Sequence, residues 1–307
     1  MGVTISYMII KKKTHWFKML FEWQGSVLPQ LLPRLLLIFV YTGVLVYFQD
    51  VLLRHHLHIN PAIFTVFGIA LAIFLGFRNT VSYERFWEGR KLWGALLNDT
   101  RSLARQAHNL FENKESKEEI SLFVNRLIAL VYALKHQLRH TNAGDDMKRL
   151  LPEGLAGELE HNRLNPVILL KSLGGWVQEN KQGGNITPLS QLAFEENFNK
   201  VSDIIGGCER IANTPIPFSY SVLLHRTVYI YCFMLPFGFV DTLGWLTPFI
   251  LVFIAYTFLA LEAIADELED PFGTQPNDLA LDTMASVIED TLCLLYTSDA
   301  ADEGLGV

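Results

Sequence analysis

The chain has 307 residues, of which 50% are hydrophobic and only 19% charged, with 25 Lys and Arg against 32 Asp and Glu. Ample apolar surface excludes a disordered chain. Three cysteines exclude a disulfide scaffold, and the acidic balance argues against nucleic-acid binding. A mean hydropathy of +0.23 points to a membrane protein if the apolar residues fall in long uncharged runs.

They do. Leu35 to Phe48 is uncharged, and extending back to Leu28 adds only Arg34, whose long side chain can reach the interface. Ile59 to Phe77 gives nineteen uncharged residues, Thr227 to Val240 fourteen, and Thr242 to Leu261 twenty. About twenty apolar residues cross about 30 Å of hydrocarbon. The third run reaches that length through Phe218–Leu224 if His225 and Arg226 are buried or paired. Lys11, Lys12, Lys13, Lys18 and Arg34 precede the first run, and Arg78, Arg85, Arg90 and Lys91 follow the second. By the positive-inside rule both flanks are cytoplasmic, and with four spans so is the C-terminus. The Asp50–His58 loop and a turn at Asp241 then face outward.

The spans form two hairpins, separated by a more polar helical stretch. Nothing between Gly76 and Tyr83 demands a break, so the second span predicts one helix from about Ala62 to Asn113, roughly 75 Å long. Ser116 and Glu119 read as a capping box opening a helix to about His140. A short helix at Asp145–Leu151 follows, then a loop punctuated by Pro152, Gly154 and Gly157. Asn165-Pro166 starts another helix, ended by Gly183-Gly184, and a further one runs from about Leu189 to Ala212. The Thr214-Pro-Ile-Pro217 segment breaks the chain before the third span. The expected class is all-α: four transmembrane helices and a cytoplasmic helical domain. The expected divisions are 1–27, 28–77, 78–217, 218–262 and 263–292.

No enzyme signature is present: no P-loop, no G-x-S-x-G, no H-E-x-x-H. His136 and His140 lie four apart, either on a solvated helix face or sharing a metal. His55, His56 and His58 cluster in the outer loop, as loop polarity, a weak metal site or a pH sensor. Cys208 and Cys232 read as small buried residues.

Ile69, Ile73 and Phe77 recur every four residues and form one stripe, drifting about 40° per step. Gly68, Ala70, Ala72 and Gly76 beside them let neighbouring helices approach closely. The stripe meets lipid, the bundle core or a pore in which it acts as a hydrophobic constriction. Glu262, Asp266, Glu267, Glu269 and Asp270 follow the last span directly. They can pair with Arg78, Arg85 or Arg226, attract cations, or ligate calcium.

Several stretches resemble the bestrophin family: Ala70-Ile-Ala-Ile-Phe-Leu-Gly-Phe-Arg-Asn79 with Tyr83-Glu84, Arg90-Lys-Leu-Trp-Gly94, Gly207-Cys-Glu-Arg-Ile-Ala212, Thr214-Pro-Ile-Pro-Phe218, His225-Arg-Thr-Val228 and Glu267-Leu-Glu-Asp-Pro-Phe-Gly273. The resemblance is close to the prokaryotic branch and covers about 8–292. It implies a homopentameric ion channel in the bacterial inner membrane, with Ile69, Ile73 and Phe77 as the pore neck and Leu189 at a cytosolic aperture. It implies passage of small inorganic ions, chloride in the family generally and monovalent cations in the prokaryotic branch. No cofactor is implied. Animal relatives bind calcium through an acidic run after Asn-Pro-Phe-Gly. The corresponding region here holds Glu267, Asp270 and Asp278, and only Asp278 is acidic after the glycine, which argues against calcium activation. The alternatives are a secondary transporter, which favours paired repeats that this chain lacks, and a membrane-anchored scaffold. Residues 293–307 read like a translated sequencing adapter and are set aside from fold reasoning.

Overall fold

The fold is described from a computed structural model, covering residues 17, 22–23, 25–49, 60–111, 117–152, 154 and 165–302, with side chains to 295. Lys11, Lys12, Lys13, Lys18, Asp50, His55, His56, His58, Ser116 and Gly157 lie outside the described residues. In chain order the helices are α1 (Leu28–Tyr47), α2 (Pro61–Asn109), α3 (Lys117–Leu138), α4 (Gly144–Leu150), α5 (Pro166–Gln182), α6 (Pro188–Asn213), α7 (Phe218–Met234), α8 (Pro236–Leu243), α9 (Thr247–Glu269) and α10 (Leu281–Asp302). The described residues contain no strand. Proline sits in the first turn of α1, α2, α5, α6, α8 and α9, where its missing N–H has no intrahelical partner to lose. The chain divides into two compact units, one of residues 1–86, 215–271 and 275–278, the other of the remainder.

The first unit contains α1, the start of α2, α7, α8 and α9. Its core joins Leu31, Leu35 and Ile38 of α1, Leu71 and Leu75 of α2, Leu224, Val228 and Cys232 of α7, and Ala255 and Leu259 of α9. The small residues Ala255 and Ala260 let α9 lie along α1. The outward faces are as apolar as the core: Leu36, Val40 and Val44 of α1 and Phe249 and Phe253 of α9 are exposed. In water such a surface would be a large unpartnered patch; in hydrocarbon it is ordinary. Among the described residues three helical stretches are long and apolar enough to cross a membrane: Leu28–Tyr47, Pro61–Asn109 and Phe218–Glu269.

The last of these stretches departs from the sequence expectation. The third apolar run does not continue to Val240 as one helix. It ends at Met234, and Pro236, which cannot donate to the preceding turn, begins α8. Asp241 therefore lies within α8, not in the turn. The reversal falls at Gly244, whose φ of 50° and ψ of −128° suit only a residue without Cβ.

The second unit holds the rest of α2 with α3, α4, α5, α6 and α10. α3 is buried nearly all round, through Phe123, Leu127, Ile128, Leu130, Val131 and Leu134, and packs against α5, α10, α4 and α6. Phe111, Phe123, Trp176, Phe194 and Phe198 form a continuous aromatic cluster with centroids 4.6–6.4 Å apart. Glu119 accepts the Trp176 indole N–H at 2.9 Å; Ser116, its expected capping-box partner, lies outside the described residues. Asn165 caps α5 through Val167 N and Thr187 caps α6 through Ser190 N. α2 is one unbroken helix as expected, ending at Asn109 before Leu110 and Phe111 rather than at Asn113.

Candidate ion pathway

The two sides of α2 differ sharply. Phe64, Leu71, Leu75, Arg78 and Ser82 are buried, in steps of seven, four, three and four residues, which trace one face of a helix. Ile73 lies about 200° round the axis from Leu71. Ile69, Ile73 and Phe77 are 59%, 53% and 62% exposed, large apolar side chains turned away from the core of their own unit. They are therefore no part of the bundle interior, one of the settings their periodicity allowed.

The inward side of α2 is tied down at several points. Tyr231 of α7 donates its hydroxyl to the Phe64 carbonyl at 3.2 Å, and Tyr220 donates to the Phe74 carbonyl at 3.3 Å. Gly68 lies under Tyr231, where a Cβ would stand 2.6 Å from the hydroxyl oxygen, so only glycine admits this approach. Gly76, by contrast, faces open space. Asn79 spans α2 and α9, donating to the carbonyls of Leu75 at 2.9 Å and Leu261 at 3.0 Å.

The acidic end of α9 is consumed by internal partners. Arg78, 2% exposed, bonds Asp266 and lies 3.5 Å from Glu269. Glu269 also accepts the Ile216 N–H at 3.0 Å, and its carbonyl receives Arg85 Nε at 3.0 Å. His225 pairs with the buried Glu262 at 2.6 Å, which gives one polar residue inside the third apolar run its partner, while Arg226 beside it is exposed. Glu267 accepts Asn277 Nδ2 at 2.6 Å, and Asn277 also reaches the Gly25 carbonyl. Asp278 accepts the Gln275 N–H at 2.6 Å, closing the turn. Asp270 is exposed at the end of α9. Among the described residues no three His, Cys, Asp or Glu side chains converge in a way that could hold a metal.

The remaining candidates separate. Leu189, the second residue of α6, is fully open. His136 and His140 do not share a helix face, because α3 ends at Leu138 and His140 sits in the turn with a φ of 53°. His136 is held by Thr141 at 2.6 Å and Asp146 at 2.9 Å. Cys208 is buried, which pushes its thiol up to about 12, so it stays a neutral core residue. Sequence reasoning missed Asn79, Tyr220 and Tyr231. Their only signal was a polar group inside or beside an apolar run, which must find a partner.

A helical bundle with lipid-compatible outer faces and a large apolar stripe turned away from its own core is the build of a membrane protein. Comparison with known proteins agrees. Residues 8–293 match the family described as Bacterial/Fungal Bestrophin protein. A voltage-dependent anion channel-forming protein of Ralstonia nicotianae is 48% identical over 285 residues, 93% of either chain. One from Escherichia coli K12 is 39% identical over 297 residues, covering 96% of this chain and 95% of the relative. The crystal structure of a bacterial bestrophin homolog from Klebsiella pneumoniae superimposes with a TM-score of 0.84 at 38% identity, covering 87% of this chain and 98% of that one. The chain belongs to the bestrophin family. It is a membrane-embedded ion channel protein and not an enzyme.

Proposed function

We propose that five copies of the chain enclose one central pore in the bacterial inner membrane, with α2 lining it and both termini in the cytoplasm. Ile69, Ile73 and Phe77 form its narrow neck, and Leu189 lines a second, cytosolic aperture. The pore passes small inorganic ions. Ion passage has the support of the relatives' names, which call them anion channel-forming proteins, and both chloride and monovalent cations remain within the reading. The observation that carries this reading is the exposure of all three neck residues on the side of α2 opposite its packed face. In a closed ring each copy offers one surface to the next, and the side left facing the axis is common to all copies. Large apolar side chains there narrow the passage and resist wetting, so ion flow depends on how easily water fills the neck.

The neck carries no charge and so selects no sign of ion by itself. Calcium activation is not part of the proposal. Asp278 spends its carboxylate on its own turn and Glu267 on Asn277, and Arg78 already supplies a positive charge between Asp266 and Glu269.

The test is ion flux through purified channel in liposomes. Replacing Ile69, Ile73 and Phe77 together with alanine removes branched and aromatic bulk from every copy and raises the flux. These side chains hold no core contacts, so the variant should assemble normally. Unchanged flux in a normally assembled triple variant refutes the neck.

A further inference from the structure

The stripe that carries the neck does not end at Phe77. Thr80 and Glu84 continue it, each seven residues beyond a neck position, Ile73 and Phe77 respectively. A step of seven residues drifts only about 20° round a helix. Glu84 therefore points within about 20° of Phe77, about 10 Å further along the axis. It is exposed. Thr80, the intervening residue, turns its hydroxyl back onto the Gly76 carbonyl at 3.1 Å and offers no charge.

Glu84 differs from its acidic neighbours. Glu262, Asp266, Glu267 and Glu269 each have a partner within the first unit: His225, Arg78, Asn277, and Arg78 with Ile216. Among the described residues Glu84 has no ion-pair or hydrogen-bond partner. The buried cation nearest the neck, Arg78, is on the packed face and bonded to Asp266. The next cation on the exposed stripe, Lys91, lies about 10 Å further along the axis than Glu84, just over the ~8 Å Debye length at physiological salt. Among the described residues Glu84 is thus the first charge beyond Phe77 on the side of α2 that carries the proposed neck.

We propose that Glu84 is a selectivity residue of the channel. Repeated once per copy, it forms a ring of carboxylates beside the neck that concentrates cations, repels anions and tilts the pore toward cations. The proposal rests on the reading of α2 as the pore-lining helix. It assigns the choice of sign to a residue outside the constriction, because an uncharged neck only sets how wide and how wettable the passage is. Rings of acidic side chains act in this way in cation pathways, through the potential they add where ions enter.

The experiment is reversal-potential recording in planar bilayers under a KCl gradient, on wild type, Glu84→Gln and Glu84→Lys. Neutralising the ring should move the reversal potential toward the chloride equilibrium potential, lowering the cation-to-anion permeability ratio roughly threefold or more. Glu84→Lys should move it further in the same direction. Both shifts should shrink at high salt, where the ring is screened. In parallel, Ile73→Cys is treated with a charged thiol reagent, with treated wild type as the baseline for native cysteines. Block of Ile73→Cys together with graded shifts establishes Glu84. Block with unchanged reversal potentials in both Glu84 variants overturns its role and leaves the pore reading intact. Absence of block overturns the pore reading and the proposal with it.

Discussion

Arg78→Met removes a guanidinium that is 2% exposed while keeping most of the volume and the apolar stem of the side chain. Two carboxylates lose their partner. Asp266 is 61% exposed and regains water; Glu269 is 16% exposed and keeps only the Ile216 N–H. Removing one member of a buried ion pair costs roughly 3–5 kcal/mol, and the solvated Asp266 places this case near the lower end, at about 3 kcal/mol. For a unit of this size that corresponds to a Tm lower by roughly 5–10 °C, read from tryptophan fluorescence of the detergent-solubilised channel. The cost arises from an orphaned charge, so Arg78→Met combined with Glu269→Gln should recover a large part of it. Arg78→Met as stable as wild type, or a double variant no better than the single one, refutes the electrostatic account.

Gly68→Ala places a methyl group 2.6 Å from the Tyr231 hydroxyl oxygen, so Tyr231 must leave its bond to Phe64 or the helices must shift, at a cost of about 1–3 kcal/mol. Adding Tyr231→Phe removes the clashing oxygen, and the double variant should be more stable than Gly68→Ala alone in the same thermal assay. Glu289→Gln tests the second unit, where Arg149 bonds both oxygens of Glu289 and Tyr132 donates to it at 2.6 Å. The Arg149 hydrogen bond, opposed by burial, holds the Glu289 carboxyl below the usual carboxylate range. A carboxyl depressed by folding stabilises at pH above its unfolded value and loses that contribution as pH falls through the folded one. At pH 7 the variant should be less stable by about 1–2 kcal/mol, and the gap should close on acidification below the ordinary value near 4.3. A gap that persists unchanged at pH 3 refutes the assignment.

Much of the fold was legible because membrane constraints act locally. A run of nineteen or twenty uncharged residues declares a span by length alone, and the unbroken pattern past Gly76 gave the long α2. The break at Pro236 was less legible. Hydropathy registers apolar length, whereas the missing N–H of one proline decides where a helix ends. The four-residue recurrence of Ile69, Ile73 and Phe77 revealed a stripe but not its direction, since core, lipid and pore all accept the same side chains. The identity of the buried face, set by Leu71 and Leu75 packing on α1, α7 and α9, rules out the core, and the pore is the setting we propose. The acidic run after α9 was visible at once. Its partner was not, because Arg78 and Asp266 are 188 residues apart in sequence and several arginines were equally eligible.

The ties on α2 bear on how such a neck opens. Tyr231 holds the Phe64 carbonyl, Tyr220 that of Phe74, Asn79 that of Leu261, and Arg78 the end of α9. These contacts fix α2 on its packed side over the stretch that carries the proposed neck on the other. Rotating α2 to withdraw Ile69, Ile73 and Phe77 would break several of them at once, including a buried ion pair worth about 3 kcal/mol or more when orphaned. Side-chain rotamers on the exposed face have no such restraint, and wetting of an apolar constriction needs no backbone movement. The arrangement therefore favours control by side-chain position and water occupancy within a rigid helix. On this account Arg78→Met should alter gating as well as stability, while the alanine neck should conduct freely with every tie on α2 intact.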